Sequence, residues 1–232
     1  MGCLFCATGQ MGFRRNLMSG EIIVQVLTFE RELRSTGKRL TNVVFMGMGE
    51  PLNNYDAVLE AVRRLTDPTG FSFGARRITV STIGLPRQIR RLAGEGLQVG
   101  LAISLHGATD ADRRRLVPAA RRWSLAEVLE AGQEYAQRTG RRITFEWALI
   151  QGENDSPEQA HALGSLISGM LCHVNLIPLN PTGAYPGKGS EASRVRRFQE
   201  ILAGYGVGTT IRLRRGVDIQ AGCGQLRQRM GS

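Results

Sequence analysis

At 232 residues and 42% hydrophobic, the chain is long enough for one large α/β domain with its own core. Four cysteines, Cys3, Cys6, Cys172 and Cys223, exclude a disulfide framework and suit a reducing cytoplasm, where paired cysteines bind metal or do chemistry. The formal charge of +10 comes nearly all from arginine, lysine occurring only at Lys38 and Lys188, and no apolar run is long enough to span a membrane or serve as a signal peptide.

In chain order, Cys3-Leu4-Phe5-Cys6 comes first, followed by a loop over 7–13. Apolar spacing predicts a helix over 19–36 with Ser19 as its N-cap, then a strand over 42–47 and a helix over 54–65. A strand over 77–82, a helix over 85–93, a strand over 98–105 and a helix over 125–138 follow. The series closes with strands over 143–150, 173–178 and 209–213, separated by helices over 157–171 and 194–202. Regular alternation predicts parallel strands with crossover helices. Runs such as 99–103 are almost continuously apolar, as strands buried on both faces should be. Residues 181–193 form the best loop candidate, and no domain boundary is visible, so 1–232 reads as a single unit. A strand should precede the Cys3 loop, and Met1 leaves no room for it.

The polar motifs fall at the C-terminal ends of the strands, where α/β barrels and open sheets place their sites. Two thiolates two residues apart can grip one metal from a single turn, but an isolated pair cannot complete a coordination shell. Gly47-Met48-Gly49-Glu50-Pro51 is either a close backbone approach with Glu50 accepting hydrogen bonds from a ligand ammonium, or a turn with a solvated glutamate. Ser81-Thr82-Ile83-Gly84 and Ser104-Leu105-His106-Gly107 offer hydroxyl and imidazole groups to the same rim; singly, each is equally a cap or a satisfied core residue. Asn180 offers donor and acceptor groups, or forms an Asn-Pro turn. Cys172 reads as a small apolar residue in a helix end. Cys223, between Gly222 and Gly224 and near Arg214 and Arg215, reads as reactive. The arginine surplus suggests a nucleic-acid partner or, in the bland reading, solvated charge in an arginine-biased sequence.

Taken together, Cys3–Cys6, Gly47–Pro51, Ser81–Gly84, Ser104–His106, Asn175–Asn180 and Gly222–Gln225 stand in the order and spacing of one family. The chain resembles the radical S-adenosylmethionine adenine-C2 methyltransferases, which modify adenosine in 23S ribosomal RNA and in tRNA. The resemblance covers essentially the whole length. It implies a partial (β/α)6 radical SAM barrel lacking its first strand, with a short C-terminal extension. It also implies a [4Fe-4S] cluster on Cys3 and Cys6, the second and third ligands of a C-x3-C-x2-C pattern. S-adenosylmethionine would be contacted by Gly49, Glu50, Ser81, Ser104, Leu105, His106 and Asn180. Cys223 would be the catalytic cysteine, methylated first and then attacking adenine carbon 2 through its methyl carbon. The partners implied are RNA, S-adenosylmethionine and an electron donor, for a cytoplasmic monomer that binds no membrane. The family's first cluster cysteine, its basic glutamate, its product-releasing cysteine and its N-terminal RNA-binding domain are expected upstream of Met1, so turnover by this chain is expected to be impaired.

Three rivals remain. A related family methylates carbon 8 of the same adenosine and confers antibiotic resistance. A non-catalytic RNA-binding remnant would use only the arginine surface. A structural zinc protein would recruit His residues to Cys3 and Cys6, though no second ligand pair has zinc-like spacing.

Overall fold

The computed structural model describes residues 1–180 and 185–212. Cys223, Arg214, Arg215 and the Gly222–Gln225 motif lie outside them, as does position 213 of the last expected strand.

Strands β1 (Val43–Phe45), β2 (Ile78–Thr82), β3 (Gly100–Ser104), β4 (Ile143–Leu149), β5 (Cys172–Pro178) and β6 (Thr209–Ile211) form one sheet in sequence order. Every neighbouring pair is parallel. Among the described residues β1 and β6 are free edges, so the sheet is an open barrel. The Arg212 guanidinium reaches the Met46 thioether at 3.7 Å, which brings the two ends of the curled sheet together. Helix α2 (Ser19–Ser35) leads into β1, and the five crossovers run through α3 (Tyr55–Thr66), α4 (Pro86–Ala93), α6 (Leu125–Thr139), α7 (Pro157–Ile167) and α8 (Ala192–Gly204).

The two faces of the sheet have different chemistry. Ile78, Val80, Leu101, Ile103, Ile143, Phe145, Trp147, Val174 and Leu176 belong to one buried apolar cluster with Val62, Ile89, Val128, Leu163 and Phe198 from the helices. The alternate residues share the inner face, because paired residues of parallel strands project the same way. Register aligns Ser81 with Ala102, Ala102 with Thr144, and Thr144 with His173. One layer higher it aligns Ser104 with Glu146, Glu146 with Asn175 and Asn175 with Thr210. The hollow is therefore polar, and the apolar core lies between sheet and helices.

Several expected boundaries move for local reasons. Ser19 is not the N-cap of α2: Met18 is, and the Glu21 carboxylate accepts from the Met18 backbone N–H at 2.8 Å while pairing with Arg15. The helix expected over 157–171 stops at Ile167, because Ser168 turns extended and Gly169 takes φ 76°. Cys172 accordingly opens β5 instead of ending a helix; it is half-buried against the core, and burial pushes its thiol up to about 11. Two short helices, α1 (Ala7–Gln10) and α5 (Asp110–Leu116), had no apolar periodicity to announce them. The Thr109 hydroxyl accepts from the Asp112 N–H to start α5.

Candidate cofactor site on the strand C-terminal rim

Cys3 and Cys6 sit on the turn that leads into α1, with the Cys6 N–H donating to the Cys3 carbonyl at 3.2 Å. Gly9 closes this loop: a Cβ there would stand 2.7 Å from the Cys3 carbonyl oxygen, so only glycine permits the approach. The loop is stitched to the rest of the rim. The Leu4 N–H donates to the Leu116 carbonyl, and the Met48 N–H donates to the Thr8 hydroxyl at 3.4 Å. Cys3 and Phe5 pack with Ile83, Leu116, Val117, Ile150, Leu179 and Tyr185 in a second apolar cluster that joins the ends of β2, β4 and β5. Burial pushes the Cys3 thiol up to about 11, with nearby Cys6 acting in the same direction. Among the described residues, no group of three or more His, Cys, Asp or Glu is placed to hold a metal ion.

After β1 the backbone takes positive φ at Gly47 (83°), Met48 (59°) and Gly49 (137°). At Gly49 that angle is strained for any side chain, although the space beside it is open. This loop turns Glu50 inward. Its two carboxylate oxygens accept from the Leu52 N–H at 3.0 Å and the Ile83 N–H at 2.9 Å, tying β1 to β2. Burial raises the Glu50 pKa despite these donors. The carboxylate thus serves the protein's own backbone first, and any ligand contact would use its remaining lone pairs.

Ser81 is nearly buried, in the layer beneath this loop. Ser104 ends β3, and Leu105 lies fully in the hydrophobic core, so only its backbone faces the rim. His106 has φ 61° and a buried ring; its Nδ1 accepts from the Ala148 N–H at 2.9 Å, which places the proton of the neutral ring on Nε2. Burial, helped by the positive charge of Arg113, holds its pKa down to about 3. The Phe5 ring meets it edge-on at 4.9 Å.

Asn154 fixes this unusual turn. Its amide donates to the His106 carbonyl at 2.9 Å and the Ala148 carbonyl at 2.8 Å, and its oxygen accepts from the Ile150 N–H at 2.8 Å. Asn180 follows Leu179, whose N–H donates to the Leu149 carbonyl, and the Asn180 Oδ1 is buried with no partner among the described residues. Beneath the rim, the Asn175 amide donates to Glu146 Oε1 at 2.9 Å, while Glu146 Oε2 is buried without a partner among the described residues.

The structure therefore brings Cys3, Cys6, Gly49, Glu50, Ser81, Ser104, Leu105, His106 and Asn180 to one rim and its underside. Sequence reading overlooked Glu146, Asn154 and Arg113. Glu146 had one available signal, a charged residue inside an otherwise apolar strand; the other two had none.

Comparison with known proteins places the whole arrangement. The chain is 56% identical to the dual-specificity RNA methyltransferase RlmN 1 of Myxococcus xanthus, over 98% of this chain and 63% of that protein. It is 50% identical to the ribosomal RNA large subunit methyltransferase N of Nitrosopumilus maritimus, over 98% of this chain and 64% of that one. The chain thus spans less than two thirds of the length of these curated relatives. A crystal structure of a radical SAM methyltransferase from Sphaerobacter thermophilus superposes with TM-score 0.94 at 53% identity, covering 97% of this chain and 66% of that one. The radical SAM superfamily model matches residues 1–163, which hold the cysteine turn and strands β1 to β4, and the chain belongs to that superfamily.

Proposed function

We propose that residues 1–232 form the radical SAM core of an enzyme that methylates carbon 2 of adenosine in 23S ribosomal RNA and tRNA. The observation that carries this reading is the convergence of five separated sequence motifs on one end of an open parallel barrel. High identity to RNA methyltransferases over nearly the whole chain supports it.

The residues present fit the implied groups in part. Two thiols on one turn are suitable donors for an iron–sulfur cluster, although the described residues alone do not complete its ligand set. The unpartnered Asn180 Oδ1 and the open strained turn at Gly49 fit a polar ligand lying across the rim. When bound, the cluster and S-adenosylmethionine would supply a carbon radical and a methyl group, which an electrophilic carbon requires. The chain's own residues would do the positioning. Glu50 holds β1 to β2 and leaves acceptor capacity towards an ammonium group. The bonded Nδ1 of His106 and the Asn154 clamp keep the β3 loop in one conformation. Asn180 would accept a hydrogen bond from the ligand. Cys223 would be the methyl-carrying sulfur, a role that rests on the resemblance. An electron donor, a cytoplasmic setting and a monomeric state complete the proposal.

The test is nucleoside mass spectrometry of RNA incubated anaerobically with the iron- and sulfide-reconstituted chain, S-adenosylmethionine and a reductant, alongside peptide mapping of cell-made protein. A methylated Cys223 and 2-methyladenosine are expected, the latter at low yield. Product methylated at carbon 8 would replace the assignment with its rival. Salt-sensitive RNA binding with Cys223 unmodified would mark a non-catalytic remnant.

A further inference from the structure

Arg113 is only 1% exposed, yet among the described residues no carboxylate lies within ion-pairing distance of it. One terminal nitrogen donates to the Ile83 carbonyl; Nε and Nη1 are buried with no partner among the described residues. Arginine stays protonated, and even the burial that lowers its pKa to about 10 leaves it charged at neutral pH. Nearby Asp110 is committed elsewhere, accepting from the Leu125 N–H at 2.6 Å and facing Arg114. A buried cation without an anion is among the costlier features a fold can hold.

The surroundings indicate the direction from which an anion would come. Arg113 donates to the Ile83 carbonyl, and Cys3 packs on the same apolar cluster as Ile83 and Leu116, the last residue of the helix that carries Arg113. Gly107 lets the loop after β3 close on this helix, since a Cβ there would stand 2.6 Å from the Arg113 backbone nitrogen. The Leu4 N–H, one residue from Cys3, caps the same helix through the Leu116 carbonyl. The helix that carries Arg113 is thus packed against the cysteine turn at its C-terminal end and against the loop after β3 near its start.

We propose that Arg113 is the built-in counter-charge of a thiolate-bound iron–sulfur group at Cys3, a positioning residue that retains the group and raises its reduction potential. This rests on the proposed function, because that reading supplies the anion. Each thiolate ligand is anionic and reduction adds a further negative charge to the group, so a fixed neighbouring cation favours both binding and the reduced state. Without the cluster the same cation is a liability.

The test compares the full chain with Arg113→Met and Arg113→Lys, each iron-free and after anaerobic reconstitution with ferrous iron and sulfide. Iron-free Arg113→Met should melt above wild type by ~3 °C. Once reconstituted, it should release iron to a chelator several-fold faster, with a more negative midpoint in an EPR-monitored redox titration. Arg113→Lys, which keeps the charge, should restore most of the retention and the midpoint. If the methionine variant does not fold, Arg113→Gln carries the same comparison. Wild type and the neutral variant releasing iron equally, at the same midpoint, would overturn the proposal and leave the functional reading standing. Failure of the wild type to take up any iron and sulfide would remove the anion and overturn the proposal.

Discussion

Glu146 combines a buried carboxyl with an unpartnered oxygen, and the consequence is a measurable pH dependence. Burial raises its pKa above the ordinary 4.5, opposed by the Asn175 amide and the positive charge of Arg212. A carboxyl whose pKa is raised by folding binds more protons in the fold than in the unfolded chain, so its contribution falls as pH rises through and above 4.5. Glu146→Gln should flatten that decline in denaturant midpoints measured across pH; an unchanged profile would show that Glu146 does not cause it. Glu50 shifts in the same direction for the same cause, so the flattening will be partial. Gly9→Ala tests the cysteine turn: a methyl 2.7 Å from the Cys3 carbonyl forces the loop open, costing about 1–3 kcal/mol in unfolding experiments. At this scale the rim residues were readable because they stand beside glycines and prolines at strand ends. Glu146 was hidden between Phe145 and Trp147 in a strand whose inner face is polar. Arg113 is one of three consecutive arginines, and only packing separates it from Arg114 and Arg115.

Among the elements, the connection from β4 to α7 bears the greatest structural demand. Asn154 serves three backbone groups across two strands' loops, so Asn154→Ala strands buried donors and acceptors at about 1–3 kcal/mol for each group left unpaired. Thermal melting should report a large loss, and the His106 turn should become accessible to hydrogen exchange. Helix α6 offers a milder comparison. Ser124 and Glu127 form a reciprocal N-terminal cap, and Ser124→Ala should cost about 1 kcal/mol with the rim unaffected. Helices with a cap, an apolar stripe and a glycine stop, such as α6 with Gly140 at φ 63°, were legible from sequence. Short charged α5 was not, since seven residues with a single leucine carry no period. The end of α7 was misplaced because its stop depends on the extended Ser168 and on Gly169.

For the molecule as a whole, the charge of +10 gives a direct expectation for RNA affinity. The logarithm of the binding constant should fall linearly with the logarithm of salt concentration, by roughly 0.7 to 0.9 per phosphate neutralised. A flat salt dependence in filter binding would remove the arginine surface from the account of substrate recruitment. The alternation of apolar strands and helices made the parallel architecture readable, but not the direction of its curl. That follows from the right-handed twist of the strands and the right-handed crossovers, which no residue pattern spells out. The six parallel strands also divide the molecule's tasks between its two poles. Chemistry-bearing loops leave from one pole; the turns that return each helix to the sheet, marked by Gly37, Gly96, Gly140, Gly169 and Gly206 at positive φ, occupy the other. A fluorophore, affinity handle or new pair of termini grafted at Gly140 would therefore sit a strand length from the cysteine turn, giving an engineer a place to attach equipment away from the candidate site.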